Sequence, residues 1–246
     1  MSDRDTHDSN PPRTLSCNVV GVARPGPGIT VVRLEAVSGE ALAFSAGQYA
    51  RVTFPDLPPR DYSMANRPDE PLLEFHIRDT NRAGGERTLF DHLSPGDRIT
   101  VEGPFGDAWL RESHAGPILA IAGGSGIALA KSIVETALVK GMHQPIHLYL
   151  GVRSEAELYL DDHFFGLARA YPNFRFTPVL SDADGQKERR RGLVGDAVAE
   201  DFAELKGWMA YVAGPPAMIE ATVRLLAARG MGPGEIHCDA HVSAAD

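Results

Sequence analysis

The chain has 246 residues and an acidic balance, 33 Asp and Glu against 24 Lys and Arg, for a net charge of -9. That length gives room for one large or two ordinary domains with a proper core, and the charge argues against nucleic acid or an anionic membrane surface as a partner. No apolar run reaches bilayer-spanning length, and Met1 to Pro12, rich in Asp, Ser, Asn and Pro, lacks the apolar stretch of a secretory signal. Residues 1–12 are therefore read as a disordered tail of a cytoplasmic protein.

From Leu15 to Gly103, short apolar or β-branched runs are separated by Gly and Pro. Strands are expected over Leu15 to Val22, Ile29 to Ala36, Gln48 to Phe54, Asp61 to Ala65, Leu72 to Arg78 and Asp97 to Val101. Six short strands at this spacing predict a small antiparallel barrel. Thr88 to Leu93 reads as a short helix stopped by Ser94-Pro95-Gly96.

Arg60-Asp61-Tyr62-Ser63-Met64-Ala65-Asn66 stands out in this half. Arginine anchors a phosphate as a charged fork, tyrosine offers a ring face and a phenol, and serine places a small hydroxyl close to the backbone. Between the last two strands, Arg82-Ala83-Gly84-Gly85-Glu86-Arg87-Thr88 sets two glycines ahead of a hydroxyl at a helix start. Such a segment is either a pyrophosphate cradle or an ordinary glycine-rich hairpin loop.

The period changes in the second half. Ile118 to Ala122 is a continuous apolar run, as in a buried parallel strand, followed by Gly123-Gly124-Ser125-Gly126. Ile127, Ala130, Ile133, Val134, Ala137 and Leu138 then repeat at helical spacing until Gly141. Strand, glycine turn and helix in this order suit a nucleotide pyrophosphate at the helix N-terminus, although the full G-x-G-x-x-G is not present. The alternation continues as strand Ile146 to Leu150, helix Asp161 to Ala170, strand Phe174 to Leu180, helix Gly195 to Leu205, strand Met209 to Val212, helix Pro216 to Arg229 and strand Glu235 to Cys238. A doubly wound parallel sheet of five strands is expected, with Gln186 to Arg191 as a solvated charged loop. Its ligand crevice belongs at the carboxyl ends of the strands, where Gly123 to Gly126, Gly151-Val152-Arg153 and Gly214-Pro215-Pro216 fall.

Cys17 and Cys238 are the two cysteines. They are too few for a disulfide framework or an iron-sulfur cluster, so a relay through such a cluster is expected on another chain. The histidines show no H-E-x-x-H and no paired metal spacing, and no metal is predicted.

Taken in order, Gly47-Gln48-Tyr49, Arg60 to Asn66, Gly103-Pro104-Phe105-Gly106, Ala122 to Ile127, Gly151-Val152-Arg153 and Ala213-Gly214-Pro215-Pro216-Ala217-Met218 resemble the ferredoxin-NADP reductase superfamily. Within it, the bacterial NAD(P)H-flavin reductases and the reductase components of oxygenases are the most similar. The resemblance implies a flavin-binding barrel over residues 13–113 and an NAD(P)-binding α/β domain over residues 114–246. It implies FAD, with FMN as an alternative, at the junction. Arg60 would meet its phosphate, Tyr62 and Met64 would lie along it, and Ser63 would hydrogen-bond near the hydride-accepting N5. His76, Ile77 and Arg78 would line the flavin tail, with Gly85 and Thr88 in the pyrophosphate loop. Gly123, Gly124, Ser125, Gly126, Gly214, Pro215, Pro216 and Met218 would hold NADH or NADPH, and Arg153 its phosphates. Asp239 would support the hydride site.

The chain departs from the family where a cysteine often precedes Gly-Pro-Pro, since Ala213 stands there, and where an aromatic residue often follows Asp239, since His241 stands there. Asp182, at the end of the third strand of the sheet, would accept from ribose hydroxyls and repel a 2'-phosphate, or merely shape the Asp182-Ala183-Asp184-Gly185 turn; Lys187 and Arg189 to Arg191 could reach a 2'-phosphate. The reading is an NAD(P)H-dependent flavin oxidoreductase passing electrons to an acceptor. Its alternative is an FAD-containing reductase component serving a ferredoxin or oxygenase. A nucleotide-binding module without redox function is the reading from another class, and the retained Arg60, Tyr62, Ser63 and both nucleotide loops argue against it.

Overall fold

The computed structural model describes residues 10–78, 92–182 and 189–239. The expected tail over residues 1–12 therefore lies mostly outside the described residues, as does most of the short helix expected at Thr88 to Leu93. Six strands make up the first half: β1 (Arg13–Gly26), β2 (Ile29–Ala36), β3 (Tyr49–Thr53), β4 (Arg60–Ser63), β5 (Leu73–Arg78) and β6 (Arg98–Phe105). They pair antiparallel in the order β4-β3-β6-β1-β2-β5. The period-two pattern sends Leu15, Cys17, Val19, Val32, Leu34, Val52, Phe75, Ile77, Ile99 and Val101 into one core, which explains why these runs form strands. Burial among these apolar groups pushes the Cys17 thiol up to about 11.

Among the described residues the ring closes through a single antiparallel bridge, Met64 to Phe75. Beside it, Ala65 N-H donates to the Glu74 carbonyl at 2.8 Å, and Glu74 N-H donates to Asn66 Oδ1 at 3.0 Å. On the other side of the bridge, β4 pairs only with β3 and β5 only with β2 among the described residues. The facing edges of Arg60–Ser63 and of His76 to Arg78 therefore border an open seam.

The second half alternates β7 (Ile118–Gly123), α1 (Ile127–Val139), β8 (Ile146–Val152), α2 (Asp161–Ala170), β9 (Phe174–Leu180), β10 (Arg190–Arg191), α3 (Val194–Asp201), β11 (Met209–Ala213), α4 (Pro216–Ala228) and β12 (Ile236–Asp239). All strands are parallel, in the order β10-β9-β8-β7-β11-β12. One apolar cluster joins α1 and α2 to one face of the sheet, and a second joins α3 and α4 to the other. The sheet is doubly wound, with chain order reversing at β7.

The sheet has six strands rather than the expected five. Arg190–Arg191 pairs with Val179 and Leu180 inside the segment read as a charged loop. Two residues with no apolar pattern carry no period, so this edge strand is set by neighbouring contacts: Arg190 is anchored to Asp201, to Glu200 at 2.8 Å and to the Ala197 carbonyl at 2.8 Å. Helix α3 ends at Asp201, short of the expected Leu205. Phe202 turns to extended backbone and packs its ring edge-on against Trp208 at 4.7 Å, beside His147 and Tyr149.

Helix α1 is buried on nearly every side because it lies between the sheet and the barrel. Its Lys131 ammonium donates to the Ala65 carbonyl at 3.2 Å and its Ser132 hydroxyl to the Asn66 carbonyl at 2.7 Å. No helix of the described residues is long and apolar enough to cross a membrane.

Candidate functional site

The glycine turn after β7 is dictated by close approach. Gly124 has φ +54°, and a Cβ there would lie 2.7 Å from Arg78 Nη2. A Cβ on Gly123 would lie 2.5 Å from Met218 Sδ, and one on Gly126 would collide with the Ala213 carbonyl. The absence of side chains thus lets the turn after β7 nest against the turn after β11, where Pro215 and Pro216 open α4. Both turns sit at the carboxyl ends of adjacent strands, at the switch point where open α/β sheets take ligands.

Strand β12, beside β11, delivers Asp239 to the same edge. Its Oδ2 accepts a 2.5 Å hydrogen bond from Ser63 Oγ on β4, so the last residue of the sheet meets the last residue of the seam strand. Asp239 is buried and Ser63 half-buried. A polar pocket of about 120 Å³ opens beside the pair, lined by Gly47, Tyr49, Gly106, Asp107, Ala108, Cys238 and Asp239. Gly47, with φ +98°, leaves no space for a Cβ, which would lie 2.8 Å from Ile133 Cδ1 on α1.

Along the seam, Arg60 is exposed, Tyr62 is half-buried with its ring edge-on to Phe54 at 6.2 Å, and Arg78 covers the glycine turn. Two guanidiniums, a phenol and a hydroxyl line an open backbone edge that ends at a helix N-terminus. This donor set suits an extended, phosphate-bearing ligand.

The family model for an oxidoreductase NAD-binding domain matches residues 120–224. The ferredoxin-NAD(P)+ reductase component of the naphthalene 1,2-dioxygenase/salicylate 5-hydroxylase systems of Ralstonia sp is 43% identical over 208 residues, 85% of this chain and 63% of that protein. The corresponding component of the naphthalene 1,2-dioxygenase system of Pseudomonas putida is 38% identical over 232 residues, 94% of this chain and 70% of that protein. The chain belongs to the ferredoxin-NADP reductase superfamily. Among solved members, an Amycolatopsis cytochrome P450 reductase superposes with a TM-score of 0.85 at 38% identity, covering 95% of this chain and 72% of that one. The chain spans less than two thirds of the length of the Ralstonia relative, 63%.

Within this reductase fold, the residues expected from sequence fall into three groups. Ser63, Asp239, Arg78, Gly123, Gly124, Ser125, Gly126, Gly214, Pro215 and Met218 converge on the junction, with Arg60, Tyr62 and Pro216 along its approaches. Arg153 and Asp182 stand further out and both are exposed, joined by the Asp182 N-H donating to the Arg153 carbonyl at 2.9 Å. Met64 and Ile77 point into the barrel core, so toward the seam they offer backbone alone. Gly85, Thr88, Asp184, Lys187 and His241 lie outside the described residues.

His76 is held in a buried network between the halves. Its Nδ1 is 2.9 Å from Tyr159 OH and its Nε2 is 3.0 Å from Glu74 Oε1. Burial pushes the His76 imidazolium down in pKa against the opposing pull of Glu74, so the neutral ring accepts from Tyr159 and donates to Glu74. Burial alone would raise the Glu74 carboxyl, but His76, Lys131 at 3.3 Å and Arg33 at 2.7 Å hold it well below the usual carboxylate range. Tyr159, Lys131 and Glu157 were not legible as site residues, because each acts through a partner in the other half. The local signals were two opposite-charge pairs four apart, Lys131 with Glu135 on α1 and Arg153 with Glu157.

Proposed function

We propose that the chain is an NAD(P)H-dependent flavin oxidoreductase, passing hydride from NADH or NADPH to FAD, with FMN as the alternative, and electrons onward to an acceptor. The observation that carries this reading is the Ser63 to Asp239 hydrogen bond, which ties the open barrel seam to the carboxyl edge of the nucleotide-type sheet. Barrel residues 13–113 form the flavin-binding part and residues 114–246 the NAD(P)-binding part. A bound flavin supplies the redox chemistry, accepting a hydride's two electrons and handing them on. The protein's contribution is positioning and electrostatics.

Arg60 neutralises flavin phosphate, and Tyr62 gives a ring face and a phenol. Ser63, with Met64 backbone beside it, faces the reacting edge. The Ser63 proton is held on Asp239, which leaves the hydroxyl oxygen's lone pairs to accept from a ligand N-H. The backbone of His76 and Ile77 and the guanidinium of Arg78 border the tail, and Gly85 and Thr88, outside the described residues, are assigned to the pyrophosphate. Gly123, Gly124, Ser125, Gly126, Gly214, Pro215, Pro216 and Met218 receive the nicotinamide nucleotide, Arg153 its phosphates and Asp182 its ribose. Both cysteines are free thiols, in keeping with a reducing cytoplasm.

A second reading, an FAD-containing reductase component that feeds a ferredoxin or oxygenase, is favoured by the names of the Ralstonia and Pseudomonas relatives. The two separate in one experiment. The extensively desalted protein is mixed with NADH, then NADPH, without oxygen. A stoichiometric flavin spectrum that bleaches supports a prosthetic flavin and a protein acceptor. A colourless protein that oxidises the nucleotide only after flavin is added supports diffusible flavin as substrate. Oxidation under neither condition rejects both.

A further inference from the structure

Glu157 occupies an unusual position for a carboxylate. It ends the short turn Glu155–Glu157 after β8, and the turn is pinned to the barrel. Tyr159, two residues on, is hydrogen-bonded to His76, and the tip of the β1–β2 hairpin abuts it, since a Cβ on Gly26 would lie 3.4 Å from Tyr159 Cβ. The Glu157 side chain is only 11% exposed.

Its Oε1 accepts from Arg153 Nη2 at 2.6 Å and Nε at 2.9 Å, and its Oε2 accepts from the Arg153 backbone N-H at 3.3 Å. The same Oε2 lies 3.7 Å from Arg78 Nη2. One carboxylate thus serves two guanidiniums, one from each half of the molecule. Burial alone would raise its pKa, but the Arg153 hydrogen bonds and the Arg78 charge hold it below the usual carboxylate range, so it is anionic at neutral pH. Two nitrogens of Arg153 thus sit on one anionic oxygen, a charge-assisted contact that a phosphate oxygen can take in its place. The Arg153 side chain is 70% exposed, open to a ligand from solvent.

We infer that Glu157 is an internal anion that competes with nucleotide phosphates for Arg153 and Arg78. This rests on the proposed function, which gives Arg78 to the flavin and Arg153 to the nicotinamide nucleotide. A phosphate that takes the Nε and Nη2 edge of Arg153 must displace Glu157 and leave its buried charge to Arg78. Because the two arginines share one carboxylate, each nucleotide binds against it. Glu157 weakens the hold on the nicotinamide nucleotide and so favours release of the oxidised product. A carboxylate that merely presented Arg153 to phosphate would have the opposite effect.

The sign is read by calorimetric titration of NAD+ into the FAD-saturated protein. Glu157→Gln keeps the shape and removes the charge, and we expect NAD+ to bind about threefold tighter or more, the exposure of Arg153 limiting the gain. Glu157→Asp, which shortens the reach to Arg153, should shift affinity in the same direction. In an Arg153→Met background, Glu157→Gln should change NAD+ affinity by less than about twofold. Unchanged or weaker binding in Glu157→Gln, weaker binding in Glu157→Asp, or a gain that persists without Arg153 overturns the inference. Failure of the unsubstituted protein to bind either FAD or NAD+ would instead reject the proposed function.

Discussion

Ser63 and Asp239 are 176 positions apart in sequence and share one short hydrogen bond. The Ser63 hydroxyl does little for ligand affinity on its own, since one neutral hydrogen bond to a ligand contributes on the order of 1 kcal/mol. In the proposed function the value of its bond to Asp239 lies in orienting a hydroxyl at the reacting edge. Ser63→Ala is therefore expected to slow anaerobic flavin reduction by well over the roughly fivefold that it adds to the flavin dissociation constant. Rapid mixing and fluorescence titration measure the two, and equal losses would make Ser63 a strand residue only. Both residues were legible because they belong to motifs with fixed order along the chain. Glu157 was not, since Arg78, which gives it a second charge to serve, comes from β5 in the other half.

Elements followed the hydrophobic period wherever one existed. Strands β1, β2 and β9 and helices α1 and α2 lie within a few residues of expectation because each has a buried face to satisfy. β10 and the end of α3 departed, one held by arginine pairs and the other cut short by an aromatic cluster that no local pattern announces. The glycine turn makes a prediction at this scale. Gly126→Ala would drive a methyl into the Ala213 carbonyl, backbone that cannot step aside, and so force the turns after β7 and β11 apart. A loss of about 1–3 kcal/mol in denaturant unfolding is expected, accompanied by weaker NAD+ binding. Full stability with intact binding would mean that the two turns do not depend on close approach.

In the whole molecule the halves are joined by a buried polar network as well as apolar contact. His76 is kept neutral in the fold with its pKa below the ordinary 6.5, so unfolding takes up a proton as pH falls through that value. Glu74 is kept ionised with its pKa below the ordinary 4.5, so unfolding takes up another in more acidic solution. Both shifts make stability rise with pH: the His76 contribution is complete above about pH 6.5 and the Glu74 contribution above about pH 4.5, and each is lost as pH falls. Thermal melts should therefore decline in two stages on acidification. Glu74→Gln should flatten the lower stage while lowering stability at neutral pH. A melting temperature that is level from pH 7 to 4 would contradict this account. The network was out of reach of sequence because Glu74 and His76 read as alternate residues of one strand, with nothing to say that α1 and Tyr159 cover them.

The central claim is that hydride crosses at the junction of the seam and the sheet. The most direct measurement is anaerobic rapid mixing of the flavin-loaded protein with NADH, and with NADPH, carrying deuterium or protium at the transferred position of nicotinamide C4. The account predicts that the flavin band bleaches with at least one nucleotide and that deuterium slows it several-fold, as breaking that bond in the measured step requires. A flavin that stays oxidised with both nucleotides, while both are bound, would contradict it.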